Sequence, residues 1–293
     1  MNQKKSRKRV ISKSGQIKSL KHCSPRANNE SFTCLTKPSL KKIITSWNQY
    51  YPTDTIKVTG DENRQEYWNK INAKLSKVCD NEYCWLNQPF IKEKQHIQSE
   101  FRPEMPKSWQ ENANEWLTTS DIDNVMKQYM RKHKDFIFVG AVPIDFDTKL
   151  SPGLCVVNEL CKIKVESLVK KGLIKLGVIF NLDPHNKPGS HWVSFFANFK
   201  TGKVYYFDSY GFKAPKEIKT FADRLVYQGK NNSIKLQYFE NSKRHQFKDS
   251  ECGIYSIYFI ENMLNGEKFK DIIHSSIPDE TMEKLRSKYF IKY

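Results

Sequence analysis

The run that starts at Cys252-Gly253 and continues through Ile254, Tyr255, Ile257, Tyr258, Phe259, Ile260, Met263 and Leu264 constrains this chain most. A helix wound through it is apolar on nearly every face, and such a helix lies inside a core. It must therefore be enclosed by other elements, and the preceding sequence supplies them. Ile122, Val125, Met126, Tyr129 and Met130 fall at i, i+3, i+4, i+7 and i+8 behind Ser120 as N-cap, which predicts an amphipathic helix over 121–133. Residues 173–181 read as a buried strand. Val193, Phe195, Ala197 and Phe199 alternate, Thr201-Gly202 supplies turn chemistry, and 204–207 resumes an apolar run, so a β-hairpin is expected. Pro215 stands at a first helical position before Ile218, Phe221, Ala222, Leu225 and Val226, and 234–239 is a further strand. This order gives an α+β domain over 116–293.

Upstream the composition changes. Residues 1–42 carry twelve Lys and Arg against one acid, Glu30, which is +11 of the chain's net +17 and leaves +6 for the rest. Few bulky apolar groups occur there, so burial cannot offset the chain entropy, and a flexible basic tail is expected. Residues 43–115 add Trp47, Tyr50, Tyr51, Trp68, Trp85 and Phe90 with breaks at Pro52, Pro89, Pro103 and Pro106, predicting a small helical arm. The Lys4-Lys5-Ser6-Arg7-Lys8-Arg9 run suits non-specific phosphate attraction, a nuclear address or a solvated tail. No aromatic residue is interleaved in it to stack on bases.

No run approaches the roughly 18–20 apolar residues that span a bilayer, and the N-terminus leads into charge rather than an apolar signal core. A soluble intracellular protein without membrane insertion is expected. Seven cysteines, at 23, 34, 79, 84, 155, 161 and 252, are an odd number scattered along a long chain, which argues against a disulfide framework. Cys79 and Cys84 are spaced C-x4-C, but no second pair at metal-ligand spacing follows and His96 is a poor fourth ligand. The two are read as arm-packing residues and Cys155 and Cys161 as core thiols, with no metal or cofactor expected.

A cysteine nucleophile needs thiolate character, which a helix N-terminus beside an imidazolium provides. Cys252 stands where the buried helix begins. His191 lies at the entry to the 192–199 strand, and the hairpin returns the chain to Asp208, a carboxylate able to hold an imidazole's tautomer. The register inferred from Thr201-Gly202 is a few residues from pairing 191 with 208. Gln246, six residues before Cys252, offers an amide donor for an oxyanion beside the Cys252 backbone N–H. Taken singly, each residue has a plainer reading: a small buried hydrophobe, a strand-end histidine, a turn aspartate. His245, next to Gln246, competes as the base, and Trp192 is either packing or a shield for the site.

The order His191-Trp192, Tyr206-Phe207-Asp208-Ser209 and Gln246-x5-Cys252-Gly253-Ile254-Tyr255 resembles the ubiquitin-like-protein proteases, the adenain and SUMO-protease group of papain-like cysteine peptidases. Trp116-Leu117 and the helix after it are similar to that group's opening segment. A closer resemblance is to the polyprotein-processing proteases of large cytoplasmic DNA viruses, which add an N-terminal arm carrying a short motif similar to 79–84. The resemblance implies a papain-like core with His191 as base, Asp208 as orienting acid, Gln246 in the oxyanion hole and Cys252 as nucleophile. It implies cleavage after Gly-Gly in viral structural polyproteins during virion maturation, in the virion and the cytoplasmic viral factory. Two alternatives remain: an isopeptidase removing ubiquitin or SUMO-like modifiers from host proteins, or an inactive basic scaffold binding nucleic acid. The chain holds no Gly-Gly dipeptide, so self-processing at such a site is not expected.

Overall fold

The computed structural model describes residues 22–27, 32–92 and 94–292. The chain divides into two units between Glu104 and Met105, eleven residues before the boundary expected at 115/116.

In the first unit, α1 (Lys37–Tyr50) begins at Thr36, whose side chain accepts from Ser39 N, with Pro38 in its first turn. Leu40, Ile43, Ile44 and Trp47 form its buried stripe. The boundary drawn at 42/43 thus falls inside this helix, and Lys37 to Lys42 belong to it. Residues 1–21 and 28–31, most of the expected tail, lie outside the described residues. Helix α2 (Arg64–Leu75) starts with a capping box between Asn63 and Glu66, followed by α3 (Glu82–Leu86) and α4 (Lys94–Gln98). Two carboxylates tie residues 34–39 down. The buried Glu82 accepts from Cys34 N at 2.9 Å, and Glu100 accepts from the Thr36 amide, the Thr36 hydroxyl and the Ser39 hydroxyl.

In the second unit, α5 (Thr119–Lys132) matches the expected helix, but its N-cap is Thr118 rather than Ser120. Asp121, three residues on, closes a capping box with Thr118, whereas Asp123, at the same spacing from Ser120, accepts from Ala141 N instead. Five strands form the main sheet: β1 (Phe136–Pro143), β4 (Lys175–Asn181), β5 (Trp192–Asn198), β6 (Lys203–Phe207) and β7 (Gln237–Glu240), in that spatial order. β2 (Lys149–Ser151) and β3 (Leu154–Cys155) make a separate small pair, and α6 (Asn158–Cys161) and α7 (Val165–Lys170) precede β4. The hairpin partners β4, β5 and β6 are antiparallel, whereas β1 and β7 run parallel to their neighbours.

Both sheet faces are covered, so the side-chain alternation sorts residues between two cores rather than between core and water. From β5 and β6, Trp192, Phe196, Tyr205 and Phe207 join one cluster with α5. Val193, Phe195, Ala197, Val204 and Tyr206 join the other with α8 (Lys216–Asn231). Helix α9 (Cys252–Asn265) lies in the first cluster, with eleven of its residues buried, as its all-round apolarity requires. Gly253 is needed because a Cβ there would come within 2.9 Å of Leu117 Cδ1. The chain ends with α10 (Phe269–His274) and α11 (Asp279–Tyr289). No helix among the described residues is long and apolar enough to cross a membrane.

The expectation of no disulfide framework is corrected. Cys23–Cys34, Cys79–Cys84 and Cys155–Cys161 are bonded pairs, and Cys252 is free. Each bond closes a local loop of 5 to 11 residues, so a scatter that looks irregular along the whole chain resolves into neighbours. Cys155 and Cys161, read as separate core thiols, are joined across the turn between β3 and α6.

Candidate active site

His191 immediately precedes β5 and Asp208 immediately follows β6, so the hairpin carries both to the same end of the sheet. The register Asn198↔Lys203 through Ser194↔Phe207, continued three pairs further, sets His191 opposite Tyr210 rather than Asp208. Asp208 still reaches the ring: its Oδ1 lies 2.7 Å from His191 Nε2. That contact assigns a proton to Nε2 and leaves Nδ1 as the nitrogen free to serve Cys252, whose interaction with the ring contributes to its raised pKa.

The electrostatics follow from these contacts. Burial alone would favour the neutral ring, but the hydrogen bond to Asp208 and then that to Cys252 outweigh it, raising the His191 pKa to about 9. Asp208 is fully buried. Its amide donates to Asn241 Oδ1 at 2.9 Å, its carbonyl accepts from Asn241 Nδ2 at 2.8 Å, and its Oδ1 also accepts from Tyr210 N at 2.8 Å. Backbone and carboxylate are thus fixed independently of the imidazole.

Cys252 is the first residue of α9 and is 2% exposed. Its own N–H is among the four that the first turn of a helix leaves without an intrahelical acceptor. Gln246 is completely buried, Ser209 Oγ donates to its Oε1 at 2.7 Å, and the acceptor-only carbonyl of Lys248 on the other side fixes which end of the amide is nitrogen. Nε2 donates one hydrogen to Lys248 O at 2.6 Å and carries a second. The segment after Gln246 is held by Asp279, at the start of α11, whose Oδ2 accepts from both Phe247 N and Lys248 N at 2.9 Å.

His245 is not part of this arrangement. Burial lowers its pKa to about 4, its ring packs near Phe207, and neither ring nitrogen has a hydrogen-bond partner among the described residues. Trp192 is buried in the core and its Nε1 donates to Leu117 O at 2.9 Å. Sequence reasoning did not single out Tyr210, Asn241 or Asp279, and it quoted Ser209 only as part of the Asp208 motif. Ser209 adjoins Asp208 and Tyr210 follows it, so proximity was a signal, but nothing in local spacing points to Asn241 or Asp279.

A buried thiol interacting with a histidine that a carboxylate orients is the arrangement of a nucleophile and its base. The thiol protease R355 of Acanthamoeba polyphaga mimivirus, named as putative there, is 31% identical over 293 residues, covering 92% of this chain and 92% of R355. The Ulp1 protease family, C-terminal catalytic domain, matches residues 175–293. The chain belongs to the Ulp1 protease family. It is a cysteine peptidase, and its fold is the papain-like α+β fold of that family. A cysteine protease of African swine fever virus is a further relative, 24% identical over 246 residues, covering 78% of this chain and 88% of its own. The crystal structure of the African swine fever virus protease superposes with a TM-score of 0.65 at 20% identity, over 93% of this chain and 96% of that one. The matched family region spans β4 to the C-terminus and so includes His191, Asp208, Gln246 and Cys252.

Proposed function

We propose that this Ulp1-family peptidase is an endopeptidase that cleaves after Gly-Gly in viral structural polyproteins during virion maturation. The observation that carries the chemistry is His191, bonded at Nε2 to Asp208 and held well above its ordinary pKa by Asp208 and then Cys252. In this reading the Cys252 thiol gives its proton to His191 Nδ1, and the thiolate sulfur attacks the scissile carbonyl carbon. The oxyanion accepts hydrogen bonds from Gln246 Nε2 and the Cys252 N–H. The imidazolium then protonates the departing amine, leaving an acyl thioester. Water attacks that thioester, again giving a proton to His191, and the acid leaves as the thiol re-forms.

The polyprotein substrate is favoured because similarity to the viral relatives extends well upstream of the family's catalytic region: R355 matches over 92% of this chain. A second reading, removal of SUMO-like modifiers, is favoured by the name SUMO-1 cysteine protease borne by an African swine fever virus relative, 24% identical over 247 residues. Side-by-side cleavage of a Gly-Gly-X polyprotein-junction peptide and a folded SUMO conjugate separates the two. Cys252→Ala and His191→Ala are expected to abolish turnover of the junction peptide. Full activity in either variant overturns the mechanism, and turnover of the conjugate alone overturns the substrate. The proposed site of action is the virion and the cytoplasmic viral factory, with residues 1–42 as a non-specific nucleic-acid handle.

A further inference from the structure

A stack of side chains outside the expected constellation lies against it. The Tyr210 ring covers the His191 ring, with centroids 4.6 Å apart and planes 22° from parallel. The Arg244 guanidinium carbon sits 5.1 Å from the Tyr210 ring centroid and 4.9 Å from that of Phe247. Arg244 Nε donates to the carbonyl of Gln246 at 2.7 Å. The turn carrying Tyr210 also presses on the segment carrying Arg244: Gly211 has φ +77°, and a Cβ there would lie 2.8 Å from the Lys243 carbonyl carbon.

Tyr210 therefore acts on two members of the site at once. Its amide holds the Asp208 oxygen that His191 also uses, and its ring lies on the imidazole. A histidine fixed by one hydrogen bond still has freedom to swing about that bond, and swinging would carry Nδ1 away from Cys252. A ring stacked on its face removes that freedom, and the negative π-face also favours the protonated ring. The turn after β6 explains why the pair forms: Gly211 N donates to Asp208 O and Tyr210 N to Asp208 Oδ1, which folds Tyr210 back beside the histidine that Asp208 holds.

We infer that Tyr210 is a positioning residue that holds the His191 ring plane toward Cys252, and that Arg244 ties this stack to the Gln246 segment. The inference rests on the proposed peptidase mechanism. The charged and titratable groups facing His191 are Asp208, Cys252 and Tyr210, and those facing Tyr210 are His191, Cys252, Asp249, Arg244 and Asp208.

The test is steady-state cleavage of a Gly-Gly-X peptide across pH, with the iodoacetamide alkylation rate of Cys252 measured over the same range. Misplacing a catalytic group by about 1 Å costs on the order of 10²-fold, so Tyr210→Leu is expected to lower kcat by about tenfold to a hundredfold with KM little changed. Its alkaline limb, in cleavage and in alkylation, moves to lower pH. Tyr210→Phe keeps the ring and restores both, because the hydroxyl's contact with Lys248 O, at 3.5 Å, is at the limit of a hydrogen bond. Arg244→Met, at an exposed position, lowers kcat about fivefold, the effect of one hydrogen bond of about 1 kcal/mol. A Tyr210→Leu enzyme with unchanged kcat and alkaline limb overturns the inference, as does a Tyr210→Phe enzyme equally impaired. If Tyr210→Leu does not fold, Tyr210→Phe and Arg244→Met decide: loss in the first or none in the second overturns it. If the parent chain cleaves no Gly-Gly peptide, the functional reading fails, and the alkylation profiles still test Tyr210.

Discussion

Asp208 lies two residues short of the position opposite His191, yet its Oδ1 accepts from the ring at 2.7 Å. The short reach is possible because Asp208 follows the last residue of β6 and is clamped by Asn241 on both backbone polar groups. The acid is therefore placed by the end of β6 and the Asn241 clamp, and not by strand pairing with the base.

Asp208→Asn removes the carboxylate that holds the His191 pKa near 9. A raised histidine pKa stabilises the protonated ring below about 9 and loses that effect as pH rises through it. The alkaline limb of kcat/KM is expected near pH 9 in the parent enzyme and about 1 to 3 pH units lower in Asp208→Asn. A pH–rate profile checks this, and coincident limbs refute it.

Gln246 and the hydroxyl that orients it make graded predictions. Gln246→Ala is expected to lower kcat by about 10²–10³, the effect of losing one oxyanion donor. Ser209→Ala leaves the amide but frees it to turn, and is expected to cost about fivefold, equivalent to one neutral hydrogen bond of about 1 kcal/mol. Single-turnover rates on one peptide compare them, and a larger loss in Ser209→Ala would contradict the ordering.

Beneath Cys252, Glu251 and Arg286 form a buried ion pair, with Arg286 Nε 3.0 Å from both carboxylate oxygens and Nη2 2.8 Å from Oε1. Arg286→Met strands the carboxylate and is expected to destabilise the domain by about 3 to 5 kcal/mol. The double variant Glu251→Leu/Arg286→Met recovers much of that loss. Urea unfolding measures both, and a double variant no more stable than the single would show that the ion pair itself is required.

Gly253→Ala forces a Cβ to within 3.0 Å of Leu117 Cβ and 2.9 Å of its Cδ1. Overpacking of this kind costs about 1 to 3 kcal/mol. Leu117→Ala in the same chain gives the new methyl room, so the pair is expected to be more stable than the sum of the two single losses. Thermal unfolding of the four variants closes the cycle.

Removing residues 1–21 is expected to leave peptide cleavage unchanged while weakening retention on DNA at low salt. Phosphate attraction falls with log[salt], so the slope of log K against log[salt] is expected to flatten in the shortened chain. Equal slopes would show that the tail is not the handle. The cut is placed before Cys23 because Cys34 and the residues up to α1 are bonded into the arm.

Periodicity carried far in this chain. The all-round apolarity of 252–264 predicts a buried helix, and the alternation at 193–199 predicts the hairpin, because side-chain period and apolarity are local properties of an element. Their ends were less legible: 234–239 forms strand only from Gln237, and Thr118 caps α5 because Asp121 completes a box with it. β1, a short apolar run interrupted by Gly140 and ending at Pro143, is not among the predicted elements, since a short apolar run has no distinguishing period. His191, Asp208, Gln246 and Cys252 are candidates from chemistry and order along the chain, and the fold brings His191 and Asp208 into contact. What only the tertiary structure decided is which distant groups meet them: Asn241 on Asp208, Asp279 on residues 247–248, Arg286 on Glu251, and Tyr210 over His191. Three of these four contacts join residues more than 30 apart in sequence. They depend on strand order and helix packing, which no local spacing encodes, because a side chain's period specifies the face it occupies and not the partner it finds there.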